Sequence, residues 1–173
     1  MPQVSPPLSL VVEGCYERIE LPRALAEAAG NSLTGECTLE KRTKANGVEP
    51  RARGFAYDWG EKHQTIFDHI WDGHRTKLKG TDEVVDLDVT HAVLTLAKSS
   101  ALSSPEDVIS AIIPIGEKET EVNISARKKV FVNLPWRPGW CYLLQPGAAI
   151  YSDRGDITCV VITAKIKTRL GRC

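Results

Sequence analysis

The stretch Ile157-Thr158-Cys159-Val160-Val161-Ile162-Thr163-Ala164-Lys165-Ile166-Lys167-Thr168-Arg169-Leu170 alternates with a period of two. On an extended chain Val160, Ile162, Ala164, Ile166 and Leu170 fall on one side, and Lys165, Lys167 and Arg169 on the other. The pattern predicts a long strand with one face in a core and a basic face in solvent. Immediately before it, Asp153-Arg154-Gly155-Asp156 has the composition of a turn, and Gln145-Pro146-Gly147 separates two further strand-like runs, Trp140–Leu144 and Ala148–Tyr151. Thr120, Val122 and Ile124 share a face, as do Val130, Val132 and Leu134. The C-terminal third therefore reads as β-rich.

Towards the N-terminus the signals turn mixed. Ser9–Tyr16, Thr34–Lys44, Gly54–Trp59 and Glu83–Val89 have strand character, with an Asn46-Gly47 turn between the second and third. Pro22 opens an Ala-rich helix over Arg23–Ala29, closed by Gly30 and Asn31. Ile66, Phe67, Ile70 and Trp71 repeat at helical spacing over Lys62–Asp72, and Gly73 ends the run. Ser104-Pro105-Glu106-Asp107 combines a hydroxyl cap, a proline at the first helical position and acids at the positive end of the dipole. Val108, Ile109, Ile112 and Ile113 follow as one apolar stripe, stopped by Pro114. Thr90–Lys98 suits either strand or helix. The expected organisation is a flexible, Pro-rich segment at 1–7 and one α+β domain over 8–173, a largely antiparallel sheet carrying two to three short helices.

With 173 residues, 42% apolar and 25% charged, the composition is that of a globular protein and excludes a disordered tail or a collagen-like fibre. No apolar run approaches the roughly 18–20 residues of a spanning helix. Leu8–Val12 has no basic residue ahead of it, so a cytoplasmic location is expected, with the nucleus also open. The net charge of zero hides a division: residues 126–173 carry nine Lys and Arg against Asp153 and Asp156 alone. Lys165, Lys167, Arg169, Arg127, Lys129, Arg51 and Arg53 are the candidates for contact with an anionic surface, whether acidic membrane, RNA, a nucleoprotein or the acidic part of a second copy. Pro135-Trp136-Arg137-Pro138-Gly139-Trp140 places a Pro-Gly turn between two tryptophans, and Trp136, Arg137 and Trp140 are candidate partner contacts, one ring packed and the other exposed.

Catalytic signals are sparse. The five cysteines form no C-x-x-C pair and are expected to be free thiols. His63, His69 and His74 are spaced by six and five residues, which points them apart on a helix, so no metal is assigned. Neither a P-loop nor a G-x-G-x-x-G turn is present, and no cofactor is assigned. Cys141, between Trp140 and Tyr142, has no demanded histidine partner, and no catalytic residue is assigned.

The order of elements resembles that of the compact matrix proteins of rhabdoviruses, particularly those of plants. The likeness rests on Ser5-Pro6-Pro7, the opening strand Ser9–Tyr16, the helix Arg23–Ala29 and a small mixed domain with basic surface. The Pro-Pro-x-Tyr motif of some members is absent, since Leu8-Ser9 follows Pro7. The resemblance implies a non-enzymatic assembly protein that self-associates and bridges an anionic membrane surface and a nucleoprotein partner. Two alternatives stand beside it: an RNA-binding module such as a viral silencing suppressor, using the Lys165/Lys167/Arg169 face, and a cysteine-dependent hydrolase built on Cys141.

Overall fold

The structure is a computed structural model and describes residues 16–39, 53–79, 86–126 and 130–167. In chain order its elements are β1 (Tyr16–Glu20), α1 (Arg23–Gly30), β2 (Cys37–Thr38), β3 (Gly54–Tyr57), α2 (Glu61–Lys79), β4 (Asp86–Leu96), β5 (Ala101–Ser103), β6 (Val108–Pro114), β7 (Thr120–Ala126), β8 (Val130–Trp136), β9 (Trp140–Leu144), β10 (Ala148–Tyr151) and β11 (Ile157–Lys167). They form a seven-stranded sheet, in the order β1-β9-β6-β11-β4-β3-β2, and a four-stranded sheet, in the order β5-β10-β7-β8. Every ladder is antiparallel.

From β4 onward the chain crosses repeatedly between the sheets, so that β9-β6-β11-β4 faces β5-β10-β7-β8. Eight strands in two facing antiparallel sheets of four, with the chain passing from one sheet to the other, are a jelly roll. β1 extends the large sheet beyond β9, and β3 and β2 extend it beyond β4.

Two apolar layers result. Between the sheets lie Leu96, Ile112, Val122, Ile124, Leu134, Trp136, Tyr142, Leu144, Ile150, Cys159 and Val161. On the outer face of the large sheet, Val93, Ile109, Ala111, Ile113, Leu143, Val160 and Ile162 are covered by Ala29 of α1 and by Ile66 and Ile70 of α2. The stripe Ile66, Phe67, Ile70 and Trp71 is thus the face that docks α2 on the sheet. The last turn of α1 lies so close to the turn after β6 that a Cβ on Gly30 would stand 2.3 Å from the backbone of Gly116. The Gly116 N–H donates to the Ala26 carbonyl at 3.0 Å.

The α+β expectation with two to three short helices is overturned, since the described residues form a β-dominated jelly roll in which α2 runs 19 residues. Gly73 does not end that helix; apart from the helix's own nearby backbone, nothing lies within 4 Å of where its Cβ would be, and it is a tolerated interior position. The predicted helix after Ser104 is strand β6, every residue of which is buried. Ser104 does not cap it but anchors a turn, in which the Val108 N–H donates to the Pro105 carbonyl at 3.1 Å. Thr90–Lys98 resolves as strand up to Leu96. The 1–7 segment and the Asn46-Gly47 turn lie outside the described residues. No helix among the described residues is long and apolar enough to cross a membrane.

Candidate functional site

Across the inter-sheet face of the large sheet, side chains opposite one another in register form rows. Ile157 faces Leu96, and Cys159 faces Leu94. The next row is Ala92, Val161, Ile112, Tyr142 and Arg18. After it come Thr90, Thr163 and Ser110, and then Lys165 and Val108. The face therefore changes from apolar to hydroxyl to charged as it approaches the end of the sandwich marked by Lys165.

The polar groups at that end satisfy one another. Thr90 and Thr163 share a hydrogen bond. The Ser110 hydroxyl donates to Ser104 Oγ at 2.9 Å, and Ser104 donates to the Val108 carbonyl. Lys165 Nζ stands 3.4 Å from Asp107 Oδ2.

The opposite end is built differently. β8 turns into β9 through Arg137, Pro138 and Gly139, whose φ of 98° is open to glycine but strained for other residues. The Leu21 N–H donates to the Gly139 carbonyl at 3.0 Å, tying this turn to the end of β1. Trp140 follows, with its ring centre 4.2 Å from the guanidinium carbon of Arg18 and 4.8 Å from that of Arg137. Beneath it, Tyr142 meets Trp140 edge to face at 6.4 Å and stacks on Trp136 at 6.0 Å. The Tyr142 hydroxyl donates to the Pro135 carbonyl. Burial pushes its pKa above the usual tyrosine range, while the charges of Arg18 and Arg137 pull the other way.

Neither guanidinium forms a hydrogen bond or ion pair with a described residue. Arg23, by contrast, donates to Glu27 at 2.7 Å and to Glu119 at 2.9 Å.

All four histidines belong to α2 or β4. His63 is fully buried; its Nδ1 accepts the Gly60 N–H at 3.0 Å, which leaves Nε2 to donate to the Ala29 carbonyl at 3.2 Å. Burial holds its pKa below the usual histidine range. His91 stacks on Trp59 at 3.9 Å, on the helix side of β4. Among the described residues no group of three His, Cys, Asp or Glu is placed to hold a metal.

Cys141 lies under the helices and Cys159 between the sheets, and burial pushes both thiols up to about 12. A thiol so far from ionisation is no nucleophile near neutral pH, which removes the cysteine-hydrolase alternative. Cys37 is also a free thiol.

Of the basic face expected on the last strand, the structure describes only the side chain of Lys165. Ile157, Cys159 and Val161, on the same side as Lys165, are buried between the sheets. Only the end of that side emerges, and Lys165 is there paired with Asp107. Arg169, Arg127, Lys129 and Arg51 lie outside the described residues; Lys167 closes β11, and Arg53 lies beside β3, its backbone N–H bonded to Ser100 Oγ at 3.0 Å. The charge division of the sequence is interleaved by folding, as Arg154 reaches Glu121 at 3.7 Å and Lys165 reaches Asp107. Trp136 is 2% exposed and presents no contact surface, whereas Trp140 is half-buried, with exposed Arg18 and Arg137 each set over its ring. Arg18 was not singled out by its sequence. The alternation Tyr16, Arg18, Glu20 places it opposite Ile19, but nothing local connects it to Trp140.

No protein-family model matches the chain, and no curated protein matches its sequence. Among solved structures it is similar to a Pseudomonas putida prolyl-4-hydroxylase, with 9% identity and a TM-score of 0.60 over 88% of this chain and 92% of that one. Looser likenesses include Streptomyces albus HEPD with 2-hydroxyethylphosphonate and Fe(II) bound, with 11% identity and a TM-score of 0.41 over 81% of this chain and 25% of that one. A cupin 2 domain-containing protein from Halorhodospira halophila has 7% identity and a TM-score of 0.31 over 52% of this chain and 71% of that one. The first likeness is one of fold. It overturns the matrix-protein expectation, which required a small mixed α+β domain.

Non-haem iron oxygenases hold Fe(II) with two histidines and a carboxylate on one face of the metal. The described donors do not fit that set. The histidines lie on α2 and on the helix side of β4, and no histidine stands in the described rows between the sheets.

Proposed function

We propose that this jelly roll is a binding domain that works without iron chemistry and recognises its ligand on the rim of the sandwich. The observation that carries this is the filling of the inter-sheet space: Trp136, Tyr142, Leu96, Ile112, Ile124, Leu144 and Ile150 are all fully buried there. These large side chains occupy the space between the sheets, so recognition falls to the ends. A hydroxylase needs a reactive centre and access to it, and neither is offered by these rows. The test is metal retention. Protein loaded anaerobically with Fe(II), and separately with Mn(II), is desalted and its metal content measured. Well under one metal per chain is the expected result. One equivalent retained per chain, with oxygen consumed on exposure to air, overturns the proposal.

A further inference from the structure

The guanidiniums of Arg18 and Arg137 converge on one indole and use none of their donors on described residues. Each interaction with Trp140 accounts for the position of a cation over a ring, worth about 0.5–1 kcal/mol where exposed. It does not account for two like charges gathered at the same ring, whose mutual repulsion opposes the arrangement. Nor does it occupy the N–H forks, which match planar oxyanions. The positions are fixed from both sides, Arg18 by the β1–β9 ladder and Arg137 by a turn pinned to Leu21. Glu20, opposite Trp140 in register, forms no ion pair with either guanidinium.

We infer that Arg18, Arg137 and Trp140 form an oxyanion site for a phosphomonoester on a small molecule, a deduction that rests on the rim-binding proposal above and gives it a ligand class. The charge and the donor count select this group. A carboxylate can accept from both forks, but its single negative charge balances only one of the two guanidiniums. A phosphomonoester carries nearly two negative charges near neutral pH and three terminal oxygens, enough for two forks. The indole beside them is an apolar wall for the group that bears the phosphate.

Trp140 is also the reporter. Intrinsic tryptophan fluorescence of the full chain is titrated with inorganic phosphate, phenyl phosphate, acetate and chloride at constant ionic strength. Saturable changes are expected with the two phosphates and none with acetate or chloride, with phenyl phosphate binding the tighter. Trp140→Phe should lose the response while the other three tryptophans still emit. Arg18→Gln and Arg137→Gln should each weaken phosphate binding by about 10- to 100-fold, the loss of a charge-assisted contact. Both arginines are exposed, so the fold should survive. Should the double variant fail to fold, nitrogen–proton spectra of the wild type replace it, with phosphate shifting the Trp140 indole N–H and arginine Nε–H signals. A response equal for acetate and phosphate, no saturable response at all, or an unaltered response in the double variant overturns the site. Absence of a phosphate response together with absence of retained metal sinks this site and leaves the rim-binding proposal standing. Retained iron sinks that proposal whatever phosphate does.

Discussion

His63 joins the two helices through one imidazole, accepting a hydrogen bond from the N–H of Gly60 ahead of α2 and donating one to the Ala29 carbonyl in the last turn of α1. Only the neutral ring can do both, because imidazolium has no acceptor. Its pKa in the folded chain lies below the ordinary 6.5, so the unfolded chain binds the proton first as pH falls. Its stabilising contribution is complete above pH 6.5 and is lost as pH falls from there through the folded value. Thermal unfolding from pH 8 to pH 5 should show this loss in the wild type. His63→Leu should reduce it while lowering stability at pH 7.5 by about 1–3 kcal/mol, the cost of leaving buried polar groups unpaired. An unchanged pH slope in the variant would assign the effect to other groups. From sequence, His63, His69 and His74 show only spacing, and spacing argued correctly against their convergence. That His63 ties α1 to α2 depends on Ala29, more than thirty residues back, and no local pattern carries it.

Strand β6 shows how a good local signal misleads at the scale of an element. Ser104-Pro105-Glu106-Asp107 has every mark of a helix start, and Val108, Ile109, Ile112 and Ile113 keep helical spacing. Yet Ile112 enters the inter-sheet core while Ile113 enters the layer beneath the helices. A strand covered on both faces reads as an unbroken apolar run, which periodicity cannot tell from a buried helix. The β-branched content of 108–113 was the better guide, since Val and Ile prefer strands. Ile112→Ala and Ile113→Ala should therefore each cost about 2–5 kcal/mol in urea denaturation, because each empties a different packed layer. A cost below about 0.5 kcal/mol for either would mean that one face of this element is open to solvent. Strands β7 to β10 were more legible, since Gln145-Pro146-Gly147 and Pro138-Gly139 punctuate them with turns. The same two-sided burial hid the true surroundings of Lys165. Alternation separated two faces correctly, but it could not say that both were covered.

At the scale of the molecule, the first helices and the last strand depend on one another. β11 sits in the middle of the large sheet, paired with β6 along one edge and with β4 along the other. A chain ending at Asp156 lacks this strand and leaves both neighbours with open edges and the outer layer without Val160 and Ile162. It should show no cooperative unfolding transition, and should aggregate through the exposed edges. A soluble, cooperatively folding product would mean that the large sheet closes without its central strand. What sequence could not supply was this long-range arrangement, in which Thr90 meets Thr163 and Arg18 meets Trp140, because registry between distant strands leaves no local trace. The place of β11 also governs the life of the chain on the ribosome. Everything from α1 to β10 emerges before the strand that completes the sheet, so until β11 follows, the edges of β4 and β6 that face it have no partner. Completion of the large sheet then waits on β11, and the open edges of β4 and β6 are where chaperones are expected to act before Lys167 clears the exit tunnel.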